Sequence, residues 1–118
     1  MKFSQIKSKN LKNLTKKFSK YNAIACEEDG FKFPSRMELN YYRKLKLLKM
    51  SGEVLYFLRQ VPFHLPGGVK YVVDFVEFWR DGNVVYVDVK GYDTPLSKSK
   101  RKIVESLYPV KIEIFKKK

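Results

Sequence analysis

The stretch Tyr71–Gly91, YVVDFVEFWRDGNVVYVDVKG, constrains this chain most. It reads as two β-strands joined by a tight turn. Both are rich in Val, Tyr, Phe and Trp, which suit a pleated, half-buried surface. Into that apolar setting the sequence places Asp74, Asp88 and Lys90. Charged side chains are rarely buried unless something pairs with them. A metal-dependent catalytic site is the reading that accounts for all three.

The register of this hairpin decides whether the charges meet. Side chains alternate faces along a strand, so Asp88 and Lys90 share one face while Val87 and Val89 take the other. A two-residue Asp81-Gly82 turn pairs Asp74 with Val89 and puts Asp88 on the opposite face. A three-residue loop, Arg80-Asp81-Gly82, pairs Trp79 with Asn83 and Asp74 with Asp88, with Cβ atoms ~5 Å apart. The longer loop is a type I turn followed by Gly in the left-handed conformation, a common hairpin connection, and is the one expected. Two carboxylates so close repel each other in the empty protein. They suit a shared divalent cation.

The remaining elements follow in order. Residues 1–20 hold seven Lys and no acid, a basic N-terminal arm that is either a solvated tail or a phosphate-contacting segment. Lys12, Lys16 and Lys17 are its candidate contacts. Residues 21–118 are expected to form one domain. Tyr21–Phe33 reads as a small hairpin turning at Glu27-Glu28-Asp29-Gly30. Ser35 then caps a helix, with Glu38 completing a capping-box pattern and Gly52 closing it. Its apolar stripe is Met37, Tyr41, Leu45 and Leu48, with Leu39 and Tyr42 beside it. EVLYFLRQV reads as a strand that Pro62 ends or bulges, and Gln60 within it is a minor site candidate. After the central hairpin, Thr94 caps a second helix with Pro95 in its first position. Leu96, Ile103, Val104, Leu107 and Tyr108 are assigned to its apolar side. Lys98, Lys100, Arg101 and Lys102 form a basic face, as a solvated surface or a phosphate contact. VKIEIF is the last strand. A strand, a crossover helix and a second strand imply parallel pairing. The expected fold is α/β, an αβββαβ core whose mixed sheet is flanked by helices.

Charge narrows the partner. A net charge of +13 on 118 residues points to a polyanion, most simply nucleic acid. With 44% hydrophobic and 15% aromatic residues the chain should fold. No apolar run approaches ~18 residues and no signal-peptide pattern is present. The single Cys26 fits a reducing cytoplasm, the expected location. No His/Cys cluster suggests zinc, His64 reads as structural, and Gly67-Gly68 lacks the Lys-Ser/Thr of a phosphate loop.

The arrangement resembles the PD-(D/E)XK nuclease superfamily. The motif matches as Asp74, thirteen intervening residues, then Asp88-Val89-Lys90. Within that superfamily the small size and layout are most similar to Holliday junction resolvases of phage and archaeal type; the resemblance covers about residues 21–115, and FPSRMELNYYRKLKLLKMSGEV and VVYVDVKGYDTP carry most of it. Val73 stands where the name-giving Pro would be, and Asp88 where resolvases often carry Glu. The resemblance implies a restriction-endonuclease-like core and metal-dependent hydrolysis of DNA phosphodiester bonds at four-way junctions by a homodimer. It implies that Asp74, Asp88 and the Val89 carbonyl hold Mg²⁺ or Mn²⁺, that Glu38 adds a further acid, and that Lys90 orients water and balances phosphate charge. Arg36 joins Lys98, Lys100, Arg101 and Lys102 as a candidate DNA contact. A flap-cutting nuclease of the same fold and a non-catalytic nucleic-acid-binding protein are the alternatives. An Asp-x-Lys alone in a strand is commonly a surface pair; four residues in this order on these elements carry the signal.

Overall fold

The computed structural model describes residues 26–116; the basic arm, with Lys12, Lys16 and Lys17, lies outside them. The fold is α/β; the described residues form a four-stranded mixed sheet, two helices and a separate two-stranded sheet. Two compact units are present, one ending at Arg43 and the other beginning at Lys44.

In the first unit, β1 (Cys26–Glu28) pairs antiparallel with β2 (Phe31–Phe33). The turn is tighter than expected: only Asp29 and Gly30 lie in it, both at positive φ (56° and 83°), and Glu27 and Glu28 belong to the strand. Asp29 and Gly are residues that tolerate the left-handed region this hairpin needs. Tyr42 donates its hydroxyl to Asp29 Oδ2 at 2.6 Å, and its ring lies 4.9 Å from that of Phe33. Arg43 pairs with Glu28.

Helix α1 spans Arg36–Ser51. The Ser35 hydroxyl accepts the Glu38 N–H at 3.1 Å, as the capping pattern predicts. At the other end Gly52 sits at φ +87°, its N–H on the Lys49 carbonyl and that of Glu53 on the Leu48 carbonyl. This is a Schellman closure, which needs a left-handed residue. The buried stripe is rotated slightly from the expected one: Glu38, Tyr41, Tyr42 and Leu45 are buried, while Met37 and Leu48 are half-buried.

The second unit carries the large sheet, ordered β3 (Val54–His64), β4 (Lys70–Trp79), β5 (Val84–Lys90) and β6 (Ile112–Lys116). β3, β4 and β5 form an antiparallel meander, and β6 pairs parallel to β5 after α2 (Pro95–Leu107). Pro62 does not end β3; it lies on an edge strand, where a missing N–H is tolerated. The Thr94 hydroxyl caps α2 by accepting the Ser97 N–H at 3.1 Å. Val104 is its buried contact with the core. Leu96, Ile103 and Leu107, assigned above to the apolar side, are exposed. α2 meets the core through Val104, with Tyr108 just after its end packed beside it, too narrow a line to cover a wider stripe.

The core gathers Leu65, Tyr71, Val73, Val76, Val104 and Ile112, with Phe63, Phe78, Tyr86 and Ile114 against them. Odd-numbered Tyr71 and Val73 therefore share a core with even-numbered Val76, Phe78 and Tyr86. Gln60, at φ +54° in the middle of β3, is where the pleat breaks. On the other face Phe75 meets Phe57, and Lys44 lies over the Phe115 ring. Among the described residues no helix is long and apolar enough to cross a membrane.

The hairpin uses the three-residue loop. Trp79 N–H reaches the Asn83 carbonyl at 2.9 Å, Gly82 N–H returns to the Trp79 carbonyl at 3.0 Å, and Gly82 has φ +95°. A Cβ at Gly82 would meet nothing within 4 Å, so only the backbone opposes substitution. Gly82→Val should cost about 1–2 kcal/mol, read as a lower urea midpoint. Gly91→Ala, in equally open space and without a left-handed φ, should stay within about 0.5 kcal/mol. Equal midpoints for Gly82→Val and wild type would mean that this loop does not set the register.

Candidate active site

The regular ladder between β4 and β5 runs from Phe78↔Val84 to Phe75↔Val87. The next step of that register sets Asp74 opposite Asp88, and there side chains replace ladder bonds. Asp74 N–H donates to Asp88 Oδ1 at 2.9 Å, and Val89 N–H donates to Asp74 Oδ2 at 2.9 Å. Gln60 Nε2 donates to Asp74 Oδ1 at 3.2 Å, and the Tyr71 hydroxyl donates to Asp88 Oδ2. All four carboxylate oxygens thus accept a hydrogen bond from a neutral donor. These donors help offset the mutual repulsion expected of the pair.

The two acids differ in setting. Asp88 is 1% exposed and Asp74 half-buried. Burial pushes the Asp88 carboxyl above its ordinary value; the Asp74 N–H, Lys90 and Arg101 oppose the shift, and Asp93 adds to it. Lys90, two residues along β5 and half-buried, shares the face of Asp88. Sequence pattern thus placed Asp74, Asp88, Val89 and Lys90 together, and the structure does the same.

Tyr71 was not foreseen at the site. Strict alternation puts it on the face away from Asp74, and only the break at Gln60 and Asp74 turns it toward Asp88. The Asp93–Arg101 pair was also not foreseen. Arg101 grips Asp93 through both nitrogens, at 3.1 and 2.5 Å, with side chains only 13% and 5% exposed. The guanidinium holds the Asp93 carboxyl below its ordinary value. Arg101 is therefore engaged within the fold, whereas Lys98 and Lys102 on the same helix are exposed and Lys100 is half-buried. Arg36 is exposed at the start of α1. Glu38 is 3% exposed and belongs to the unit that ends at Arg43.

Among the described residues, no three His, Cys, Asp or Glu side chains converge on one metal position. The donor set that does converge is two carboxylates, all oxygen, and each oxygen atom carries a second lone pair beyond the one its hydrogen bond uses. Mg²⁺ is commonly held by one or two carboxylates, with water and phosphate completing its shell, so this set fits such an ion.

The chain belongs to the family described as "Protein of unknown function (DUF1064)", which matches residues 18–117. No curated protein and no solved structure matches it.

The raised Asp88 value ties the stability of the fold to pH. The folded protein binds this proton more tightly than the unfolded chain does, so protonation favours folding. That contribution is fully present below the ordinary Asp value of about 3.9 and is lost as pH rises through the raised value. Asp88→Asn removes the penalty of a buried charge and keeps an oxygen for the Asp74 N–H. In EDTA the variant should melt higher than wild type at about pH 7, and the gap should close as pH falls toward about 4. A gap that is constant, or widest in acid, would rule out a destabilising Asp88 charge.

Proposed function

We propose that this DUF1064 family member is a metal-dependent DNA endonuclease of PD-(D/E)XK type, selective for branched DNA and most simply for four-way junctions. The observation that supports this most is the Asp74–Asp88 pair, held side by side across two strands with Lys90 on the same face. Natural proteins keep like charges this close mainly where function demands it. The net charge of +13 supplies the attraction for a polyanion.

Asp74, Asp88 and the Val89 carbonyl would hold Mg²⁺ or Mn²⁺. When bound, such an ion polarises a phosphoryl oxygen and lowers the pKa of a coordinated water. The chain's own residues do the rest. Tyr71 orients Asp88 through its hydrogen bond. The Lys90 ammonium offsets the negative charge that develops on the phosphate and orients the attacking water. Lys98, Lys100 and Lys102 contact the DNA backbone, with Arg101 anchored on Asp93 as the support of that face. A homodimer would set two such sites about a two-fold axis, matching the symmetry of a four-way junction and its two incisions.

The test is a cleavage panel with end-labelled four-way junction, flap and linear duplex. Wild type should cut the junction in Mg²⁺ or Mn²⁺ and bind without cutting in Ca²⁺ or EDTA, because Ca²⁺ takes a looser geometry. Asp74→Asn and Lys90→Ala should each lower the rate by at least about 10²-fold while junction binding persists. Binding with no cleavage of any substrate in either metal would leave a nucleic-acid-binding protein and sink the catalytic reading.

Deleting residues 1–18 should weaken binding to every DNA shape and flatten the dependence of log K on log salt, since fewer counterions are released. An unchanged slope, measured by titration at several salt concentrations, would show that the arm does not touch phosphates.

A further inference from the structure

Gln60 departs from ordinary strand geometry. It lies inside an eleven-residue strand yet has φ +54°. The other non-glycine residue at positive φ among those described, Asp29, is in a hairpin turn where that conformation is usual. Gln has no special tolerance of the left-handed region; Gly, Asn and Asp do. Partners on either side, Arg59↔Phe75 and Val61↔Val73, put Gln60 opposite Asp74. Its amide donates to Asp74 Oδ1 at 3.2 Å, while Asp74 Oδ2 is taken by the Val89 N–H. The residue is exposed, so this hydrogen bond competes with water. The left-handed backbone switches the side of the pleat for the core and, at the same residue, aims the amide at Asp74.

We propose that Gln60 is a positioning residue for the carboxylate pair: its left-handed backbone aims a neutral amide at Asp74 and fixes the plane of that carboxylate for a divalent cation. This rests on the metal-dependent reading above. The chemistry favours an amide in this place. A Lys or Arg there would fix Asp74 equally well but would compete with the cation for its charge. An amide orients the oxygen and leaves the charge in place. A shorter Asn would not span the same distance.

Two variants separate backbone from side chain. Gln60→Gly removes the amide and relieves the left-handed strain. Gln60→Met keeps the length and the backbone demand and removes only the donor. Mn²⁺ binding is read from the loss of its free spin-resonance signal, and melting is measured in EDTA. Both variants should raise the half-saturating Mn²⁺ concentration about fivefold, the value of one neutral hydrogen bond. Gln60→Gly should melt at or above the wild-type temperature. Junction cleavage by both variants should return toward the wild-type rate at saturating Mg²⁺, which Asp74→Asn should not.

Unchanged Mn²⁺ half-saturation in both variants, with Asp74→Asn defective, would overturn the role of Gln60 and leave the metal site standing. A lower melting temperature for Gln60→Gly with unchanged affinity would mark a structural residue and overturn it as well. Wild type that binds no Mn²⁺ at millimolar concentration would remove the metal-dependent reading and this role together.

Discussion

The register of the β4–β5 hairpin is the constraint on which the rest depends. Three residues turn the chain, with Gly82 in a conformation other residues resist. A slip of one residue would move Asp88 and Lys90 to the face that carries Phe75 and Phe115, and Val87 and Val89 to the face they now avoid. The parallel partner β6 is aligned on β5, so Ile112 and Ile114 would lose their core positions too. Core and candidate site are thus set by one turn.

A second constraint lies in the same row. Gln60, Asp74 and Asp88 stand opposite one another on three neighbouring strands, and this is where ladder geometry gives way. The left-handed Gln60 changes the side of the pleat, which brings Val73 and Tyr71 to the core and the Tyr71 hydroxyl to Asp88. Backbone N–H groups of Asp74 and Val89, released from strand pairing, turn to carboxylates instead. Departures from regular structure gathered in one row of side chains mark a place kept for something other than stability.

Electrostatics agree with that view. Burial resists ionisation of Asp88, while Lys90 and Arg101 favour it. Arg101 is already matched by Asp93. Lys90 remains on the face of Asp88; the proposed divalent cation would add to it, with the exposed Lys98 and Lys102 as the attraction for a phosphate backbone.

Much of this was legible in the residues themselves. Local rules acting over a few positions placed the Ser35 and Thr94 caps, the Gly52 closure, the Arg80-Asp81-Gly82 loop and the parallel return of β6. The same rules set Asp74 against Asp88 and Lys90 beside it. What they could not decide needed a second element. The helix pattern alone does not say that Leu96, Ile103 and Leu107 are left in solvent, because that depends on how narrow a line of α2 meets the sheet. A basic run does not reveal that Arg101 is committed to Asp93. Period-two alternation sends Tyr71 away from Asp88, and only the three-strand assembly, in which Gln60 takes a left-handed backbone opposite Asp74, turns it back. Sequence determined the strands, their register and the paired acids, since each follows from neighbours along the chain. Tertiary structure decided which neutral groups hold those acids, since donors from separate strands meet only once the sheet is built.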